Sequence, residues 1–131
     1  MSENMGTVLV VDDEPDIRKV LCMYLQSYGF SYYEASDGQE GFEVLCDNLL
    51  EIDLVLTDVV MPIATGIDLM QSIKNAGYDL PVIFLTGYAN KEHTLQALRH
   101  GAFDMLEKPF QAYQINRTIT EAIRVYKEQN T

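Results

Sequence analysis

At 131 residues and 47% hydrophobic side chains, the chain is sized for one domain around a single core and lies far from the composition of disordered proteins. Its net charge of −11 argues against direct binding to nucleic acid, whose affinity comes chiefly from cations meeting phosphates. No apolar stretch nears the roughly 18 residues that cross a bilayer, and the first six residues carry neither a basic region nor an apolar signal core; a cytoplasmic protein with no membrane association is expected.

Strand and helix patterns alternate from end to end. Thr7-Val8-Leu9-Val10-Val11 reads as a buried strand running into Asp12-Asp13. Pro15 suits a first helical turn, Ile17, Val20, Leu21, Tyr24, Leu25 and Tyr28 repeat at helical spacing, and Gly29 stops the helix. Ser31 to Ala35 is a short second strand, and Ser36-Asp37-Gly38 turns into a helix carrying Phe42, Leu45 and Leu49. Leu54-Val55-Leu56-Thr57 leads to Asp58, and the loop Val59 to Thr65 follows. Gly66 opens a helix with Ile67, Leu69, Met70 and Ile73 that ends near Gly77. Val82 to Leu85 runs into Thr86. Asn90 is placed to cap a helix through Leu95 and Leu98, closed by Gly101. Phe103 to Glu107 is a fifth buried run, leading to Lys108-Pro109; Ala112, Ile115, Ile119, Ala122, Ile123 and Tyr126 mark the last helix. The expected architecture is a doubly wound α/β fold of five βα units with a parallel sheet in the order 2-1-3-4-5, one domain over 1–131 with its core at about 7–127.

In an open α/β sheet the functional crevice lies beyond the carboxyl ends of the strands. The first, third, fourth and fifth strands of this pattern end on Asp12-Asp13, Asp58, Thr86 and Lys108. An aspartate pair after a strand reads equally well as a helix cap, and a lone threonine or lysine is usually structural or solvated. Together, in order, at successive strand ends, they describe a phosphate-and-metal site. Clustered carboxylates stay ionised only with something positive among them. An all-oxygen set with few protein ligands suits Mg²⁺, for which Asp13 and Asp58 are the direct candidates, while Asp12 could hold a coordinated water. A carboxylate can also attack phosphorus to give an acyl phosphate, Lys108 can neutralise the transferring oxygens, and Thr86 can donate to one of them. Cys22 and Cys46 have no ligand spacing and are expected as reduced thiols, buried or half-buried; His93 and His100 are expected on the surface.

The segments Val10-Val11-Asp12-Asp13-Glu14-Pro15, Leu56-Thr57-Asp58-Val59-Val60-Met61-Pro62, Leu85-Thr86-Gly87-Tyr88 and Glu107-Lys108-Pro109-Phe110 resemble the CheY-like receiver domain of two-component response regulators. The similarity runs from about Thr7 to the last helix. It implies that Asp58 accepts a phosphoryl group from a sensor histidine kinase or phosphotransfer protein. It also implies that Asp12, Asp13, Asp58 and the Val60 backbone carbonyl bind Mg²⁺, that Lys108 pairs with the phosphoryl group, that Thr86 moves toward it, and that Lys108-Pro109 is cis. The same resemblance implies a partner or output domain docking on the face made by helix 4, strand 5 and helix 5, with His93, Arg99, Gln114, Arg117 and Arg124 as candidates, and a phosphorylation-dependent homodimer. A stand-alone receiver and a receiver belonging to a larger regulator are both compatible with the sequence.

Three departures from the family pattern carry expectations. Met105 stands where an aromatic switch residue is usual, so the output change is expected to be weaker or to run another way, through Tyr88 for example. Val60 and Tyr88, two residues past Asp58 and Thr86, offer no acidic or amide group to orient water, so slow self-dephosphorylation is expected; acyl-phosphate decay compared with a Val60→Asn, Tyr88→Glu variant tests this. Thr65-Gly66 replaces the usual Asp-Gly, with Gly66 keeping backbone freedom and little consequence expected from Thr65. The enzyme rival is a Mg²⁺-dependent phosphohydrolase using an aspartyl phosphate, but Val59-Val60 supplies no general acid after the nucleophile. A flavin or nucleotide binder of similar topology lacks its Gly-rich loop after the first strand.

Overall fold

The protein is described from a computed structural model, covering residues 4–59, 61, 63–87, 92, 96, 98, 99 and 101–129. Five parallel strands, β1 (Thr7–Val11), β2 (Ser31–Ala35), β3 (Leu54–Asp58), β4 (Val82–Thr86) and β5 (Asp104–Glu107), lie in the order β2-β1-β3-β4-β5. Helices α1 (Pro15–Ser27), α2 (Gly38–Asp47), α3 (Gly66–Asn75) and a C-terminal helix (Ala112–Gln129) connect and cover them. Glu92, Gln96, Leu98 and Arg99 are helical as well. Asn90, Leu95, His93 and His100 lie outside the described residues.

Strand alternation sorts the core into two layers. Val8, Val10, Leu54, Leu56, Ile83 and Leu85 point to the side closed by Leu21 and Leu25 of α1 and Ile115, Ile119 and Ile123 of the C-terminal helix. Leu9, Val11, Val55, Val82 and Phe84 point to the other, against Leu45 of α2 and Leu69, Met70 and Ile73 of α3. Each such side chain contributes about 1.5–3 kcal/mol by leaving water, so the sheet's centre is firmly determined.

The local signals operate as their chemistry suggests. Pro15 opens α1, Asp37 caps α2 by accepting from Glu40 N at 2.9 Å, and Gly29, Gly77 and Gly101 take positive φ where helical segments end. Three expectations need correction. The fifth run is not a buried strand: β5 is a sheet edge, with Asp104 and Glu107 exposed and Met105 and Leu106 only half-buried. Leu49 falls beyond the end of α2 and packs on the α3-side core from the following turn. Cys46 is exposed, its Sγ 3.7 Å from the Tyr78 hydroxyl, whereas Cys22 is buried, and burial followed by the neighbouring Glu34 pushes its thiol up to about 12.

Candidate phosphate and metal site

Asp12 leaves β1 with its N–H on Ala35 O (3.1 Å), so the β1–β2 ladder continues one residue into the site. Its carboxylate Oδ1 accepts from Glu14 N at 2.9 Å, while Oδ2 is buried with no hydrogen-bond partner. Asp58 closes β3. Lys108 follows β5, its N–H donating to Thr86 O at 2.7 Å, and its Nζ reaches Asp58 Oδ2 at 3.2 Å and Asp12 Oδ2 at 3.8 Å. The Lys108–Pro109 bond is cis. One carboxylate oxygen from each of Asp12, Asp13 and Asp58 lies within 4.8 Å of the others. Thr86 is buried at the end of β4, at the same sheet edge.

Burial dominates the electrostatics. It lifts the Asp12 carboxyl to about 6; the Glu14 N–H lowers it, the Asp58 charge raises it, Lys108 opposes that, and Asp13 adds a smaller upward push. Burial by itself would depress the Lys108 ammonium, but the charges of Asp58, Asp12 and Glu14 and the hydrogen bond to Asp58 outweigh it and hold the group above the ordinary lysine value. One ammonium thus serves two carboxylates and leaves a fully buried oxygen orphaned, an expensive arrangement in protein alone. An orphaned buried oxygen beside two further carboxylates fits a hard divalent cation such as Mg²⁺.

The approach of α3 seals one wall. A Cβ at Gly66 would stand 2.2 Å from Asp58 O and 2.7 Å from Phe84 Cε1. Gly66 is therefore required for room beside the site, not for backbone freedom, since its φ is not positive. Thr65 caps α3, as the aspartate usual at this position also could. Its hydroxyl accepts from Asp68 N (3.1 Å) while Asp68 Oδ2 accepts from Thr65 N (3.0 Å), a reciprocal cap that Thr-x-x-Asp could have signalled.

Asp12, Asp13, Asp58 and Lys108 are thus brought together as the strand ends suggested, and Thr86 lies at the same edge. Met105 sits apart from them, half-buried on β5 beside Phe84 in the α3-side layer. Val60 and Tyr88 lie outside the described residues. Sequence reasoning missed Arg18, whose Nη1 donates to Asp12 O at 2.6 Å; a bond to a main-chain oxygen leaves no trace in side-chain spacing. Among the proposed surface cations, Arg124 is engaged by Glu121 and Glu128 of its own helix.

Known proteins share this sequence pattern and fold. The response regulator receiver domain profile matches residues 8–120. The chain is 36% identical to the response regulator protein PilR of Pseudomonas aeruginosa over 117 residues, 89% of this chain and 26% of PilR. It is 33% identical to the regulatory protein AtoC of Escherichia coli over 121 residues, 92% of this chain and 26% of AtoC. The chain therefore spans about a quarter of the length of these two relatives. Among solved structures, a response regulator receiver domain protein from Clostridium thermocellum superposes with a TM-score of 0.90 at 33% identity, covering 95% of this chain and 98% of that one. The receiver domain of NtrX from Brucella abortus gives 0.83 at 32% identity, covering 89% and 98%. On the profile, the relatives and the shared fold, the chain belongs to the response regulator receiver domain family of two-component signalling.

Proposed function

We propose that Asp58 is the phosphoacceptor of this receiver, charged from the phosphohistidine of a sensor histidine kinase or phosphotransfer protein. The carrying observation is one of access. Of the two carboxylates that face Lys108, the Asp12 side chain is 0% exposed and the Asp58 side chain 11%, so Asp58 is the one that can meet an external phosphorus. An Asp58 oxygen forms the new P–O bond as the donor's P–N bond breaks; the imidazole keeps the bonding pair and takes a proton from solvent. Lys108, already 3.2 Å from the accepting carboxylate, remains to pair with the incoming oxygens. Asp12, Asp13 and Asp58, with the Val60 carbonyl, would hold Mg²⁺, which when bound neutralises charge on the transferring oxygens.

Adding a dianionic group at a buried strand end biases a two-state equilibrium, read out through Thr86 and passed to a partner or output domain on the face of the fourth helix, β5 and the C-terminal helix. A phosphorylation-dependent homodimer would use that same face. Family membership favours this signalling role over the phosphohydrolase alternative, and the cytoplasmic placement follows the family. Among the described residues no helix is long and apolar enough to cross a membrane.

Intact-mass measurement after incubation with Mg²⁺ and acetyl phosphate tests the acceptor. Wild type should gain one phosphoryl group and Asp58→Ala none; equal labelling of both would end the proposal. Met105 carries the second arm. Its flexible chain has no flat ring with two well-separated seats, so phosphorylation should change partner affinity less in the parent than in Met105→Tyr. Equal phosphorylation-dependent responses in the two proteins would remove position 105 from the switch.

A further inference from the structure

We infer that Arg18 is a positioning residue for the metal site, a clamp on the Asp12–Asp13 peptide that sets where the two carboxylates point. The inference rests on the Mg²⁺ reading above and adds to it a residue outside the carboxylate set.

Asp12 is held at nearly every polar atom. Its N–H goes to Ala35 O (3.1 Å), its Oδ1 takes the Glu14 N–H (2.9 Å), and its carbonyl takes Arg18 Nη1 at 2.6 Å. Only Oδ2 is without a hydrogen bond; it stands 3.8 Å from Lys108 Nζ, and one oxygen of this carboxylate lies within 4.8 Å of oxygens of Asp13 and Asp58. The carbonyl of Asp12 belongs to the peptide that continues into Asp13, so fixing it fixes the departure of both side chains from the end of β1. Without a donor on that carbonyl the peptide can rotate, and the shared approach of the two carboxylates is lost.

Arg18 is built for the task. Its side chain is 19% exposed, and Glu34 on β2, the register partner of Val10, stands 3.5 Å from Nε. That Nε is buried and lacks a hydrogen bond, so the pair holds the guanidinium by charge and leaves Nη1 committed to the carbonyl. An arginine beside an acidic nest would ordinarily fork onto a carboxylate and compete with a metal for it. Here it takes the main-chain oxygen instead, ordering the peptide without neutralising any of the three ligating carboxylates.

Charge and geometry predict opposite signs for its removal. If Arg18 acted only as a nearby cation, deleting it would tighten Mg²⁺ binding. A clamp predicts the reverse, with a loss near the lower end of the 10- to 100-fold that supporting residues typically command in metal affinity. Calorimetric Mg²⁺ titration of the whole chain, read beside the melting temperature, decides between them. Arg18→Met should bind Mg²⁺ about tenfold more weakly than wild type, and Arg18→Lys, which keeps one donor for the carbonyl but not the planar fork, should fall between the two. Where Arg18→Met does not fold, the ordering of Arg18→Lys against wild type carries the test. Unchanged or tighter Mg²⁺ binding in a folded Arg18 variant, even with a lowered melting temperature, would reduce Arg18 to a structural or purely electrostatic residue and overturn the inference. A wild-type chain that bound no Mg²⁺ would overturn the metal reading itself, and this inference with it.

Discussion

Two aspartates at opposite ends of the same strand pair make opposite use of their surroundings. At the amino end, Asp53 ties β3 to β1: its Oδ2 accepts from Thr7 N at 2.9 Å and its own N–H donates to Thr7 O at 2.8 Å. At the carboxyl end, Asp12 is buried deeper, shares one ammonium with Asp58, and keeps an oxygen with no hydrogen bond. Backbone strain follows the same division. The left-handed positions that lead into strands, Gly6, Gly29, Gly77 and Gly101, are glycines, which adopt φ values of 135, 88, 78 and 99° without penalty. The one such position in a described strand-to-helix loop is Ile63, a β-branched residue at φ 70°. The amino end is assembled for stability, while the carboxyl end gathers the carboxylate oxygen without a hydrogen bond and the strained backbone.

The sharpest test of that contrast is Asp12→Asn. Because burial lifts the Asp12 carboxyl to about 6 from an ordinary 3.8, the native state binds more protons than the unfolded chain between those pH values. Stability contributed by this residue is therefore highest below about pH 4, falls as pH rises through the window, and is fully lost above about 6, by on the order of 3 kcal/mol. Without Mg²⁺, Asp12→Asn should be more stable than wild type at pH 7 by roughly that amount, and the two should converge at pH 4. Urea midpoints in EDTA at both pH values measure it. Mg²⁺ should stabilise wild type more than the variant, which keeps Asp13 and Asp58 but loses one carboxylate charge. A variant less stable than wild type at pH 7 in EDTA would mean that the Asp12 charge is already compensated.

What was legible beforehand divides on similar lines. Asp12, Asp13, Asp58 and Lys108 could be placed because each ends a short apolar run, and strand ends are a topological address. The central strands were equally plain, since short Val-, Ile- and Leu-rich runs alternating with helical patterns favour buried parallel strands. β5 was misjudged although the expected order 2-1-3-4-5 already put it at the edge: its run was read with the central strands, while Asp104 and Glu107 mark the exposure that an edge allows. Gly66 was assigned a conformational role when its true constraint is contact with Asp58 O and Phe84, residues distant in the chain. Arg18 was invisible for a related reason: its partner is a carbonyl, which every residue possesses.

At the amino end the same exchange should have the opposite sign. Asp53→Ala leaves the nearly buried Thr7 N–H without its acceptor and should cost about 1–3 kcal/mol. Asp53→Asn retains an oxygen that can accept and should lose less. Neither should alter Mg²⁺ affinity, because Asp53 lies at the far end of the strands. Denaturation midpoints with parallel Mg²⁺ titrations check both halves, and a shift in Mg²⁺ affinity would show that the two ends are not independent.

The smallest effect concerns Ile63, a residue 80% exposed, so that little packing compensates its left-handed backbone. A left-handed residue with a branched Cβ costs roughly 1–2 kcal/mol, and asparagine tolerates that region better. Ile63→Asn should therefore stabilise the protein by about 0.5–1 kcal/mol. Ile63→Gly should gain less than its strain relief suggests, because glycine also enlarges the entropy of the unfolded chain. Melting temperatures of the two variants beside wild type make the measurement. If Ile63→Asn were destabilising, the isoleucine side chain would have to be held by contacts that its exposure does not show, and the strain at this loop would no longer count among the costs concentrated at the carboxyl end.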